Sequence, residues 1–400
     1  MRVNTIKAFF ALVRAGLWGE AGANLNLNAN DNHFEGVEWE KIYQLAQEQS
    51  VQGLVLQGIE WFKNHNLNVL ETSGTSERAR ADLDLNIPKV LLLQWIGEVR
   101  LIEQQNKEMN AFVNDLIGDL RRVNIYTLIV KGQGVAQCYE KPLWRASGDI
   151  DLYLNEGDFQ KAKAYFRPLV NKFDPDNEYT RHINMHYGDW VVEIHANQHC
   201  ALSSRINRVL DDVHRDLFYR GSVRSWNNNA TQIFLPSADN DAIIIFTHFF
   251  NHFYRGGVGL RQICDWCRLL YTYRDSLNNG LLEQRIKRAG LVNEWRAFGA
   301  FAVKYLGMPI EAMPLLNDNL NANLNRKADK ICEFILEVGN FGHNRDTSYY
   351  GKYPFFIRKA ISAWRRVKDL CRHTMIFPLD SIRFFFGMTI SSLKAVSHGE

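Results

Sequence analysis

Long apolar runs are missing from this chain. In its 400 residues no uninterrupted apolar stretch reaches the length of about 18 that a helical membrane span needs, so no such span is expected. A surplus of one charge sign is missing too. Lys and Arg number 47 against 44 Asp and Glu, and a net charge of +3 gives no whole-surface attraction to nucleic acid, although local patches stay open. Cysteine is scarce: six residues, at 138, 200, 264, 267, 332 and 371, form no disulfide framework. The pair Cys264 and Cys267 makes a lone CxxC with no second pair after it, in a stretch of helical period. Two core-facing thiols in a reducing cytoplasm fit that better than a zinc site. Internal repeats are absent, and the nearest thing to low complexity, LNDNLNANLN at 316–325, reads as a polar loop.

What is there alternates between helical and strand patterns. The opening MRVNTIKAFFALVRAGLWGEAGA superficially suggests a leader, but Arg14 interrupts its apolar run, and residues 4–19 read as an amphipathic helix. Residues 38–62 space apolar side chains at three and four, with a break near Ser50 and Gly53, which predicts a helix pair. A polar linker is expected over 72–86, followed by one long helix from about 88 to 122. At 125 the character changes: IYTLIVKG is β-branched, apolar and ends in glycine, as a strand does. A short helix (GVAQCYEK), a second strand (GDIDLYLN) and a helix with Glu156 and Asp158 in its first turn come next. YTRHINMHY and WVVEIHANQ then alternate around Tyr187-Gly188-Asp189, which suits a hairpin turn. From 238 onward the pattern is helical. The expected class is α+β: a small mixed-sheet core over 95–235, between helical regions at 1–94 and 236–400.

The segment WRASGDIDLYLN poses the chemical question. Residues i and i+2 of a strand share a face, so Asp149 and Asp151 present two carboxylates side by side in apolar company. Repulsion and desolvation make that costly unless a cation intervenes, and magnesium suits one or two carboxylates plus substrate phosphates. A strand end facing water is the plain alternative. Upstream, IVKGQGVA sets a glycine turn between strand and helix, where free N–H groups can cradle phosphate. Downstream, VVEIHA carries Glu193 in a second apolar strand with His195 on the same face. Three acids on two strands beside a glycine turn suit two-metal phosphoryl transfer.

The run KGQGVAQCYEKPLWRASGDIDLYL, followed by WVVEIHA, resembles the polymerase-beta-like nucleotidyltransferase superfamily, in particular a branch with a KG…Y…R…GDIDL motif. The resemblance implies a nucleoside triphosphate donor, ATP among the candidates, and two Mg2+ ions, with Mn2+ as a substitute. It gives Asp149, Asp151 and Glu193 the roles of metal ligands and catalytic residues, with Glu193 also a candidate general base. Nucleotide binding falls to Lys131, Gly132, Gln133, Gly134, Arg145, Ser147 and Gly148. Gln133 departs from the Gly or Ser that the superfamily usually has after its turn glycine, and Gly134 is the substitute source of flexibility. Arg145 either neutralises phosphate or pairs with one of the two aspartates. His195 orients Glu193, contacts the acceptor, ligates metal or is simply a satisfied core histidine.

A helical region after such a core often closes the acceptor site, which brings His248, His252, Arg261 and Asp265 into view; the two histidines share a helix face but lack an HExxH acid. His182 and His186 are expected to be structural. A small molecule, sugar or protein acceptor fits the weak net charge better than long nucleic acid. A DxD glycosyltransferase and a non-catalytic scaffold are the alternatives. The last fifty residues set Lys352, Arg358, Lys359, Arg365, Arg366, Lys368 and Arg372 against Asp369, then add Phe384, Phe385 and Phe386. Over 352–394 this fits peripheral contact with an anionic membrane, an RNA or protein contact, or terminal helices that pack phenylalanines on the core and leave arginines in water. The expected location is cytoplasmic, with or without a peripheral membrane contact.

Overall fold

A computed structural model describes residues 3–19, 34–73, 85–170, 181–316, 320–345 and 353–397. Helix α1 (Val3–Trp18) is buried nearly all round, not along one face as amphipathicity would give, because it lies between α3 (Gln52–Ser73) and the later α11 (Val292–Leu306). Arg14, the residue that interrupts its apolar run, donates Nε to the carbonyl of Tyr305 at 2.9 Å in the last turn of α11, where unpaired carbonyls attract a cation. Between α2 (Trp39–Glu48) and α3 the break falls at Ser50, with φ of 56°. Most of the expected 72–86 linker lies outside the described residues.

Helix α4 (Lys89–Arg122) is a single 34-residue element whose buried residues, among them Trp95, Val99, Met109, Val113, Leu116 and Leu120, recur on one face. It stops at Asn124, which takes φ of 57°, while the N–H of Ile125 bonds back to the carbonyl of Leu120 at 2.9 Å. That left-handed cap turns the chain straight into the sheet.

Four strands, β1 (Leu128–Val130), β2 (Asp149–Tyr153), β3 (His182–Tyr187) and β4 (Trp190–His195), lie in the order β1-β2-β4-β3. The β2–β4 pair is parallel and the outer pairs are antiparallel. The chain between β1 and β2 forms a short helix, α5 (Gly132–Ala136), and between β2 and β3 a longer one, α6 (Glu156–Phe166), capped by the Asn155 side chain. Gly188, at φ of 62°, makes the expected tight turn between β3 and β4.

One sheet face is wholly apolar. Ile150, Leu152, Ile183, Met185, Val192 and Ile194 pack on α4 and on Phe159 and Phe166 of α6. A second hairpin, β5 (Val223–Asn228) and β6 (Thr231–Pro236), extends this core through Ile233 and Leu235. Its strands, VRSWNN and TQIFLP, carry little alternation, and the sequence does not announce them. The opposite sheet face is covered by α7 (Ser204–Tyr219), α8 (Ala238–Arg255) and α9 (Leu260–Thr272), with Cys264 and Cys267 buried as free thiols in the core. Helix α10 (Asn279–Ala289) leads into α11, and α12 (Ala322–Val338) starts inside the expected 316–325 loop, because Asn321 caps its first turn by accepting the N–H of Leu324 at 2.9 Å. Helices α13 (Phe355–Thr374) and α14 (Pro378–Ser397) close the fold. Among the described residues no helix is long and apolar enough to cross a membrane.

Candidate active site

The strand registers decide which acids meet. Asp151 lies directly opposite Glu193, and Glu193 opposite Asn184 on β3. By the two-residue pleat Asp149, Asp151, Glu193, His195 and His182 all project from the polar sheet face. Asp151 is almost fully buried, and two nitrogen groups hold one of its oxygens: Oδ1 lies 2.8 Å from Lys131 Nζ and 2.9 Å from His195 Nε2. The same His195 nitrogen is 3.4 Å from Glu193 Oε2, so the histidine bridges both acids instead of orienting Glu193 alone. Candidate ligand atoms of Asp151, Glu193 and His195 all fall within 4.8 Å of one another, a grouping in which His195 joins two of the expected acids and Asp149 stands apart.

Electrostatics separate the two aspartates. Burial alone would raise the Asp151 pKa, but Lys131 and His195 outweigh it and hold the carboxyl well below the usual range. Asp149 moves the other way: the charge of Asp151 comes first, burial second, and Lys131 and Arg261 offset only part. Burial opposes the charge of Lys131 and His195 as well, yet the surrounding acids raise both pKa values. For Glu193 burial pushes upward and the His195 hydrogen bond prevails, leaving it lowered. The result is a dense, mostly ionised cluster with one carboxylate, Asp149, protonated more easily than the rest.

Lys131 reaches the acids from an unusual backbone position. It ends β1 at φ 58° and ψ −144°, a region that costs a non-glycine residue roughly 1–3 kcal/mol. Its carbonyl starts α5 while its ammonium turns back over the sheet, 3.4 Å from Nδ1 of His248 on α8. Gly132 follows at φ of 38°. Gly134 serves packing and not flexibility: a Cβ there would come within 2.8 Å of a Leu235 methyl. Gln133 points away from the cavity. Its Nε2 donates to Asn106 Oδ1 at 2.9 Å, and Asn106 donates in turn to the carbonyls of Leu143 and Arg145 at 2.8 and 2.7 Å. Its side chain therefore secures the 143–145 loop against α4 and leaves only backbone at the turn.

Arg145 pairs with neither site aspartate. It forks onto Asp265 of α9, Nε to Oδ1 at 2.8 Å and Nη2 to Oδ2 at 2.7 Å, and the Tyr139 hydroxyl donates to the same Oδ1 at 2.8 Å. Ser147 accepts from Arg145 Nη1 at 2.9 Å. Arg261, one helical turn before Asp265, differs. It donates Nη1 to the Ala146 carbonyl at 2.6 Å, keeps a buried Nε with no partner, and has no ion pair among the described residues. Burial and then the charge of Arg145 lower its pKa.

A cleft open to solvent, with about 50 Å³ of cavity space, joins these parts, bounded by Lys131, Gly132, Gly148, Asp149, Arg261 and His248 among others. His252 sits behind His248, the two Nε2 atoms 3.1 Å apart, and its pKa falls to about 4 through burial and then the charge of Lys131. His182, expected to be structural, stacks on His195 with ring centres 5.3 Å apart; His186 is exposed. The sequence offered no sign of the Arg145–Asp265 pairing or of Asn106, since both depend on partners far along the chain.

A family model described as uncharacterised nucleotidyltransferase matches residues 35–307, well over half of the chain. The chain belongs to that family. No curated protein and no solved structure matches it. Membership in that family supports nucleotidyl transfer as the general activity, and nucleotidyltransferases generally use divalent metals. The matched span contains every strand among the described residues and every residue of the cluster described above.

Proposed function

We propose that this protein is a magnesium-dependent nucleotidyltransferase of the polymerase-beta-like kind, moving a nucleoside monophosphate from a triphosphate to an acceptor hydroxyl or phosphate. The observation that carries this reading is that Asp149, Asp151 and Glu193 share one sheet face, with Asp149, Asp151 and the guanidinium of Arg261 lining the adjoining cavity. The donor set fits a hard cation: carboxylate oxygens dominate, and His195 makes manganese acceptable as well. Asp149, Asp151 and Glu193 would hold the ions. When bound, divalent ions neutralise phosphate charge and lower the pKa of an acceptor hydroxyl.

The chain's own groups supply the rest. Arg261 and the backbone at Gly132 meet the β- and γ-phosphates, while Lys131 balances the acids behind them. Arg145, committed to Asp265, fixes the loop of Ser147 and Gly148 instead of gripping phosphate. The acceptor oxygen bonds to the α-phosphorus, the bond from that phosphorus to the bridging oxygen breaks, and pyrophosphate leaves. Glu193, kept ionised by His195, takes the acceptor proton. A DxD glycosyltransferase is less well supported, because among the described residues helices and one three-residue strand precede Asp149 where a nucleotide-binding α/β half is required.

The test is incubation with radiolabelled triphosphates, Mg2+ and cell extract, comparing the parent with Asp149→Ala/Asp151→Ala. Label transfer and pyrophosphate release should vanish in the variant. Transfer from nucleotide sugars with none from triphosphates would sink the proposal.

A further inference from the structure

Helices α13 and α14 each expose an apolar stripe on the side turned away from the core. On α13 Asp369 and His373 face the core, while Ile357, Trp364 and Val367 are 46, 72 and 43 % exposed. Spacings of seven and three put those three residues on one stripe, pointing away from the protein. Helix α14 repeats the arrangement: Ser381 and Phe384 are buried, and Leu379, Ile382 and Phe386, three and four apart, are 82, 47 and 61 % exposed. Met375, in the turn between the helices, is exposed too. A helix resting on a soluble core normally shows polar residues there.

Charge flanks the α13 stripe. The helix carries six Lys and Arg residues against the single acid Asp369, which Arg345 already pairs at 2.7 Å; of the six, Arg372 is taken by Glu337 of α12. Between α13, α14 and the end of α8 runs a groove with Arg255 and Arg366 beside Leu370, Phe385 and Met388. His373 lines it with a buried Nε2 that has no hydrogen-bond partner among the described residues. An apolar centre with basic borders is the pattern of a helix lying in a membrane interface, and the groove has the same division on a smaller scale.

We infer that the α13–α14 hairpin docks this protein on a bilayer surface rich in anionic phospholipid. The exposed stripes enter the boundary of headgroups and acyl chains, the basic flanks meet phosphate groups, and the groove takes the headgroup region of one lipid. A second copy of the chain is a poor occupant, since joining two α13 faces would set one basic flank against another. Single-stranded nucleic acid asks for stacking platforms in a continuous basic groove. Here four of the six stripe residues are aliphatic and occupy the centre. This inference does not depend on the reaction proposed above.

The experiment uses the full chain, sedimented with vesicles of phosphatidylcholine alone or mixed with phosphatidylglycerol. Binding should be at least about tenfold tighter to the mixed vesicles and should weaken with added salt. Trp364→Ser/Phe386→Ser changes two exposed positions, so thermal melting should stay as in the parent while vesicle binding falls about tenfold or more. Cys371 is the one exposed cysteine of the six and lies seven residues beyond Trp364, so a polarity-sensitive dye on it should shift to the blue on mixed vesicles only. Equal partition into both vesicle types, or unchanged binding by the double variant, would overturn the inference. So would retention of RNA or self-association that the same variant abolishes in the absence of vesicle binding.

Discussion

The two faces of the four-stranded sheet are built from the same strands and do opposite work. On one, Ile150, Leu152, Val192 and Ile194 meet α4 and α6 with no polar group among them. On the other, one residue away along each strand, Asp149, Asp151, Glu193 and His195 crowd together with Lys131. The apolar face gains free energy from every atom removed from water. The polar face keeps its charges only by partnering them, and Asp149, the least well partnered, has a raised pKa. The comparison teaches that the apolar face stabilises a surface that would not be stable by itself.

The largest expected effect comes from breaking the polar face at its least stable point. Asp149→Asn should cut nucleotidyl transfer by about 10³-fold, the scale seen when a group facing developing charge is lost. Melting temperature should hold or rise, because the substitution removes repulsion with Asp151. Label-transfer rates and thermal melts on one preparation check both halves. A large loss of stability would refute the division of labour.

Next come the two arginines at the cavity edge. Arg145→Met leaves Asp265 buried without its cation and should cost about 3–5 kcal/mol in urea unfolding. Arg261→Met breaks no ion pair, so stability should stay within about 1 kcal/mol. Its cost should fall on the triphosphate as a raised KM. On the apolar face, Leu152→Ala should lose about 2–5 kcal/mol while the folded fraction keeps its kcat, measured as initial rate per folded molecule.

A smaller effect sharpens the contrast between partnered and unpartnered acids. Glu294 of α11 is fully buried, and burial followed by nearby Asp380 pushes its pKa up to about 9. The folded state therefore binds this proton more tightly than the unfolded chain. That stability is complete below the ordinary value of 4.5 and is lost as pH rises toward 9. Glu294→Gln removes the dependence, so between pH 5 and pH 8 the parent should lose stability steadily relative to the variant. Paired urea titrations at the two pH values measure it, and parallel curves would remove Glu294 as the cause.

Much of this was legible in the residues. Strand pleat is local, so alternation alone put Asp149 with Asp151 and Glu193 with His195, and the Tyr187-Gly188-Asp189 turn marked the hairpin. Helical period likewise marked α4 and the break at Ser50. The hairpin of β5 and β6 stayed hidden because neither VRSWNN nor TQIFLP alternates strictly between apolar and polar residues, and the start of α12 because one asparagine cap looks like any other loop residue.

Beyond that the chain by itself was silent for a physical reason. Which face a side chain takes follows from backbone geometry one or two residues away, and the sequence determined that. Which side chain it then meets depends on how distant elements pack. Only the tertiary structure set Asp151 opposite Glu193, gave Arg145 to Asp265 120 residues further on, turned Gln133 into α4 and left Arg261 without an acid.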